Sequence, residues 1–191
     1  MYTVEINGNK YDRVPQSIDD VTIERFIKLR NINNKNALEM LRWALDSEIE
    51  PVDTIKVEKQ ITNVFQLIEP VVEEIYSFMS SDFKNNLPES INVLGLDVKL
   101  KKGLLNALPY WPYVVTKTII EEELKKERFD VTDRIPQVLA HYLYSSVTKS
   151  TYDEEKAEDF ISVVNEIGMV PALKLGVFFL RKHKSLYKRN R

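Results

Sequence analysis

The chain has 191 residues, 43% of them hydrophobic and 29% charged, with five glycines and no cysteine. That length supports one well-filled core or two small cooperating ones, the composition is that of an ordinary globular chain, and the missing thiols exclude disulfides and thiolate metal sites. The formal net charge of −2 hides an asymmetry: residues 181–191 hold six Lys/Arg and no acid, leaving 21 basic against 29 acidic side chains, or −8, over residues 1–180.

The opening stretch, MYTVEINGNKYDRVP, predicts a β-hairpin. Thr3-Val4-Glu5-Ile6 alternates with period two, Asn7-Gly8 is the preferred two-residue turn, Lys10 to Val14 returns, and Pro15 closes it. This start lacks a long apolar block and does not read as a signal peptide. Ile23, Phe26, Ile27 and Arg30 then follow helical spacing, with Asp19, Asp20 or Thr22 placed to cap the helix start. NINNKN breaks the chain before a second helix from about Ala37 to Leu45, with Leu38, Leu41 and Leu45 on one face and Trp43 off it. Val57, Ile61, Val64, Phe65 and Ile68 mark a third helix. Pro70 sits where a kink or a new start is expected, and Val71, Val72, Ile75, Tyr76 and Met79 mark a fourth.

SSDFKNNLPES reads as a linker, and INVLGLDVKLKK as strand, glycine turn, strand. Pro109 and Pro112 bracket an aromatic loop, after which Val114, Val115, Thr118 and Ile119 run helically toward EEELKKER. Ile135, Val138, Leu139, Tyr142 and Leu143 form a compact helix around Pro136. Thr151 with Glu154 fits a capping box, and Phe160, Val163, Val164 and Ile167 are the buried stripe of the helix that follows. Gly168 ends it, and Pro171 starts a last helix running through Leu180 into the tail. The expected class is α+β and predominantly α-helical, with small antiparallel hairpins packed against about seven or eight helices. Residues 1–80 would form the N-terminal hairpin and helices, and residues 91–191 a second hairpin and helical subdomain with a basic tail. Linker 81–90 would join them in one compact unit. The two hairpin-plus-helix passages share a layout, which leaves open a duplication. It also leaves open two hairpins sharing one small sheet, because a lone hairpin is marginal in water.

Chemistry-bearing patterns are missing from this sequence. A zinc site needs three or four convergent ligands, and the histidines are His141 and His183. His141 lies in an apolar helix and is expected to pack or hydrogen-bond there; His183 belongs to the solvated tail. The glycines are isolated and form no phosphate cradle, no serine sits in a nucleophile elbow, and DEEKAED lacks the glycine of a calcium loop. Glu121, Glu122 and Glu123 are consecutive and fan around a helix, while Asp153, Glu154 and Glu155 fall at a helix start favoured by the macrodipole. The expectation is a chain without catalytic residues, metal or cofactor, and not an enzyme.

Surface contact is the remaining role. Tyr110, Trp111 and Tyr113 in the proline-bracketed loop are placed either to meet a partner or to pack back as a rigid corner. At the end of the chain, Leu175, Phe178 and Phe179 would close the core or fill a neighbour's groove. Arg181, Lys182, Lys184, Lys188, Arg189 and Arg191 would complement an acidic surface, including that of another copy. The longest apolar stretch, Ile167 to Leu180, is 14 residues long and contains Lys174, against the roughly 20 that a membrane span needs. No span is expected, and interfacial attachment would need a longer amphipathic helix. Nucleic acid is a secondary partner for the tail, and no small-molecule substrate is expected.

The opening INGNKYDRVPQSIDDVTIERFIKL and the closing IPQVLAHYLY with YDEEKAEDFISVVNEIGMVPALKLGVFFLRK resemble small structural and assembly proteins of tailed bacteriophages, particularly crAss-like phages and phages of Bacteroides-type hosts. The resemblance covers both ends of the chain and thins in the middle. It implies a virion protein made in the host cytoplasm, a ring or head–tail connector subunit of the tail or neck. Its partners would be other virion proteins and further copies of itself in a ring. Two alternatives stay open: a tail assembly chaperone absent from the mature particle, and a small helical nucleic-acid-binding protein using the basic tail.

Overall fold

The computed structural model describes residues 1–32, 36–47, 54–81, 87–100, 110–123, 125–126 and 131–189; the side chains of 54–57, 131, 180 and 182–189 lie outside that description. Residues 82–86 of the expected linker, residues 124, 127 and 128 of the EEELKKER stretch and the start of the aromatic loop therefore fall outside the described residues. The class is α+β and mostly helical, with two small antiparallel hairpins. The chain divides into two compact units, one of Met1–Val21 with Arg25–Asp82 and one of Thr22–Glu24 with Phe83–Arg191.

In the first unit, strands β1 (Tyr2–Ile6) and β2 (Asn9–Val14) pair with Val4 opposite Tyr11 and Ile6 opposite Asn9. Asn7 and Gly8 both adopt left-handed backbone, with φ of 51° and 81°, which matches the right-handed twist of the flanking strands. Ile6 and Val14 are buried against the helices. Helix α1 (Ile23–Asn31) enters this unit from Arg25 onward, and α2 (Ala37–Leu45) follows. The Asn36 side chain accepts from the Glu39 N–H and caps α2 at its start, and Asp46 at φ 51° ends it.

The third and fourth expected helices are one helix, α3 (Thr54–Ser80), of 27 residues with Pro70 inside. Proline in a helix interior removes a hydrogen bond and clashes with the preceding turn, at about 3 kcal/mol. Val64, Ile68, Val71 and Ile75 form one buried stripe that runs straight past it. Each fully buried aliphatic contributes about 1.5–3 kcal/mol, which offsets the proline, and Pro70 itself points to solvent. Ile18 N–H donates to Glu74 of α3 at 2.9 Å, and Asn7 N–H to Gln60 at 3.2 Å.

In the second unit, β3 (Ser90–Val93) and β4 (Leu96–Lys99) pair only with each other. The single sheet shared by both hairpins does not form; the first hairpin packs on α2 and α3, and β4 of the second contacts the helix Ile135–Thr148 of its own unit. Helix α4 (Tyr110–Glu123) packs on α5 (Ile135–Thr148), the centre of this unit, which buries Ile135, Pro136 and every residue from Val138 to Tyr144. The expected single helix after it is two short ones, α6 (Glu154–Asp159) and α7 (Ile161–Asn165), meeting at the buried Phe160. The cap is Asp153, whose carboxylate accepts from Lys156 N–H at 3.1 Å, rather than Thr151.

Helix α8 (Met169–Arg189) carries Pro171 in its first turn and continues without a break into the basic end. It approaches α5 closely at Gly176, where a Cβ would stand 2.7 Å from Ile135 Cγ2. The start of α1 belongs to this unit through Ile23 N–H, which donates to the Ile167 carbonyl at 2.8 Å, and through a bridge between Thr22 and Gly168.

Candidate functional site

Tyr110, Trp111 and Tyr113 are not in a loop: they form the first turn of α4. Pro112 is tolerated there because the first backbone N–H groups of a helix have no acceptor within it. Thr116 Oγ1 donates to the Pro112 carbonyl at 2.7 Å, and it lies 3.2 Å from the Tyr142 hydroxyl of α5. Burial pushes that phenol up to about 12. The turn is thus anchored on its inner side. On its outer side Tyr110 and Trp111 are 69% and 62% exposed, with rings edge to face at a centroid distance of 5.2 Å. Tyr113 is half-buried.

The last helix separates the other expected contact residues. Phe179 is fully buried, stacked on Tyr142 at 3.9 Å and 10°. Phe179 is therefore a core residue and offers no face to a partner, because its position on α8 turns it toward α5. Phe178, half-buried, meets the Phe179 ring edge to face at 5.6 Å. Arg181 is exposed. The backbone of Lys182, Lys184, Lys188 and Arg189 is helical, and Arg191 lies outside the described residues.

A chain of polar contacts runs along α5. Glu123, one of the three consecutive glutamates that fan around the helix, is 6% exposed. Its carboxylate accepts from Lys126 Nζ and Arg134 Nε, each at 2.7 Å. Those two hydrogen bonds, that of Lys126 first, hold its carboxyl below the ordinary 4.5. Arg134 also reaches Gln137, and Gln137 Nε2 donates to Glu158 of α6 at 3.0 Å. His141, 1% exposed, places Nε2 3.0 Å from the same Glu158 oxygen and Nδ1 2.9 Å from the Tyr152 hydroxyl. A carboxylate can only accept, so Nε2 carries a proton, and in the neutral ring Nδ1 accepts from Tyr152. Burial, aided by Glu154, Glu158 and Asp153, pushes the Tyr152 phenol up to about 12. The hydroxyl, imidazole and carboxylate hold α5 to α6, the hydrogen-bonding role expected of His141.

The first unit holds a cluster that the sequence reading missed. Trp43, placed off the leucine face of α2, is 5% exposed, and Arg25 is 4% exposed. Arg25 Nη1 donates to the Arg13 carbonyl at 2.8 Å, and Nη2 to the Trp43 and Ala44 carbonyls at 2.8 and 3.3 Å. Trp43 Nε1 donates back to the Arg25 carbonyl at 2.8 Å, and the guanidinium carbon lies 5.4 Å from the indole centroid. The available signal was a cation two residues from Ile23 and next to Phe26 on the apolar side of α1. With Lys28, Ile32, Glu39, Arg42, Asp46 and Ser47, this pair lines a cavity of about 370 Å³.

Among the described residues no group of three or more His, Asp or Glu is arranged to hold a metal ion, and no helix is long and apolar enough to cross a membrane. The chain matches no family model, no curated protein and no solved structure.

Proposed function

We propose that this chain is a non-enzymatic structural protein of a tailed bacteriophage virion, a ring or connector subunit of the tail or neck acting through protein–protein contacts. The observation that carries the contact role is the exposed Tyr110–Trp111 pair on a helix start anchored from beneath. Covering both rings is worth roughly 5 kcal/mol of apolar burial, and aromatic anchors on a rigid element bind without much ordering cost. The virion role rests on the resemblance of the two ends of the sequence to phage structural and assembly proteins. Ring closure needs two unlike faces on each copy, and an acidic chain with a six-cation end supplies unlike charge. In this role the chain needs no catalytic residue, metal or cofactor.

Mass spectrometry of purified particles tests it. The chain is expected there at a copy number set by rotational symmetry; its absence would overturn the ring assignment in favour of an assembly chaperone. In solution, Tyr110→Ser with Trp111→Ser is expected to abolish co-sedimentation with neighbouring virion proteins while leaving the circular dichroism spectrum unchanged.

A further inference from the structure

Strand β4 has an open outer edge. Leu100 N–H donates to the Glu89 carbonyl at 2.9 Å, and in an antiparallel ladder such bonds recur at every second residue. Leu96 and Val98 therefore bond toward β3, opposite Val93 and Ile91, while the backbone N–H and C=O groups of Asp97 and Lys99 point away from it. Both residues are exposed, the sheet ends at β4, and neither residue makes a hydrogen bond or ion pair outside the ladder among the described residues. The first hairpin is blunted where this one is not: its register shifts between Tyr2 and Val4, and Arg25 takes the Arg13 carbonyl. Bulges and covered edges keep strands from pairing with other chains, and β4 runs in regular register throughout.

Like charges along an edge repel a second copy of the same strand, but here the charges are opposite and self-complementary. Asp97 and Lys99 share one face of the strand. When a second copy lays its β4 antiparallel about a two-fold axis at Val98, Asp97 of each copy stands opposite Lys99 of the other. In that register every outward N–H and C=O of these residues meets a partner, and opposite charges directly across a strand pair stabilise it. The neighbouring hydrogen-bonded registers set Asp97 on Asp97 or Lys99 on Lys99, so charge selects the register. The other face gains as well: Leu96, 56% exposed, stands opposite Leu100 of the second copy, and half-buried Val98 meets its counterpart. The apolar face begun by buried Ile91 and Val93 then continues across the join. We infer that β4 is a pairing edge for β4 of a second copy of this chain, giving one antiparallel sheet across a two-fold interface. This pairing holds with or without a place in the virion, so mass spectrometry of particles does not bear on it.

Sedimentation equilibrium of the intact chain across about 1 μM to 1 mM is expected to show a monomer–dimer equilibrium, weak because so short an edge buries less than a standard interface. At dimeric concentrations hydrogen–deuterium exchange at the Asp97 and Lys99 amides is expected to slow about fivefold or more, whereas a dimer formed elsewhere leaves them fast. Asp97→Lys and Lys99→Asp each set like charges opposite one another and are expected to weaken dimerisation about tenfold. An equimolar mixture of these two variants is expected to regain the natural affinity, because every facing pair is then opposite in charge. Variants that had merely lost structure would not recover on mixing. If a single variant melts early, amide exchange in the natural chain still decides between this edge and any other. A chain monomeric throughout, a dimer with unchanged amide exchange, single variants that dimerise as the natural chain does, or a mixture that does not recover would each overturn the pairing. Amides that slow only when a different protein is added would overturn it too, and assign the edge to that partner.

Discussion

In the first unit the buried Arg25 guanidinium is held by three backbone carbonyls, whereas in the second the buried Glu123 carboxylate is held by the side chains of Lys126 and Arg134. Both arrangements satisfy a charge withdrawn from water, which is otherwise costly. They differ in what they respond to. A carbonyl does not titrate and arginine stays protonated, so pH reaches the first centre only indirectly, through the charges of Asp46 and Asp20 near Arg25. The second depends on a carboxylate, and acid removes its charge. One chain thus contains a centre whose own groups do not titrate and one that titrates directly.

Replacing Arg25 with Met tests the first arrangement most directly. Hydrogen bonds to charged groups contribute about 1.5–3 kcal/mol each, so Arg25→Met, which takes a charged donor from three carbonyls, is expected to cost about 3 kcal/mol or more in urea unfolding. That loss should vary less between acid and neutral pH than the loss in Glu123→Gln, because Asp46 and Asp20 act on Arg25 only through space. A loss that varies with pH as strongly as that of Glu123→Gln would break the comparison.

Glu123→Gln addresses the other side. The folded carboxyl lies below its ordinary 4.5. Its stabilisation is therefore fully present above 4.5 and lost as pH falls through the lowered folded value. At pH 7 the variant should unfold at lower urea than the natural chain, and the two stability curves should converge in acid. Parallel curves would remove Glu123 as the titrating centre.

The smallest effect separates the hairpins. Both turns are left-handed at two positions, with Asn7-Gly8 in one and Leu94-Gly95 in the other, where Leu94 has φ 52° and is 69% exposed. Leucine pays roughly 1–2 kcal/mol for that conformation, which Asn tolerates better. Leu94→Asn is expected to raise stability by about 0.5–1 kcal/mol and Asn7→Leu to lower it by a similar amount, read as opposite shifts in thermal midpoint. Shifts of the same sign would show that the turns are held by something other than their own backbone.

Much of the fold was legible because it is local. The Asn-Gly turn, the alternation around it and the Ala37–Leu45 span are written within a few residues of where they act. The candidate contact pair was legible as large aromatics beside prolines, although the prolines implied a loop and the first turn of a helix accommodates Pro112 equally well. Whether Phe179 closes the core or meets a neighbour stayed open in the sequence because the apolar run through Leu180 does not say which of two adjacent phenylalanines turns inward. The Tyr142 ring decides that.

By itself the sequence determined the absence of thiol chemistry, the charged end, two hairpins and most helix spans, since turn propensity and periodicity act over short separations. Only the tertiary structure decided that Pro70 interrupts nothing, that the hairpins stay in separate sheets, and that Arg25, Trp43, Glu123 and His141 are buried with partners. Those partners lie 11 to 19 residues away for most of these contacts. Burial is a sum over neighbours brought from far along the chain, and no local pattern carries that sum.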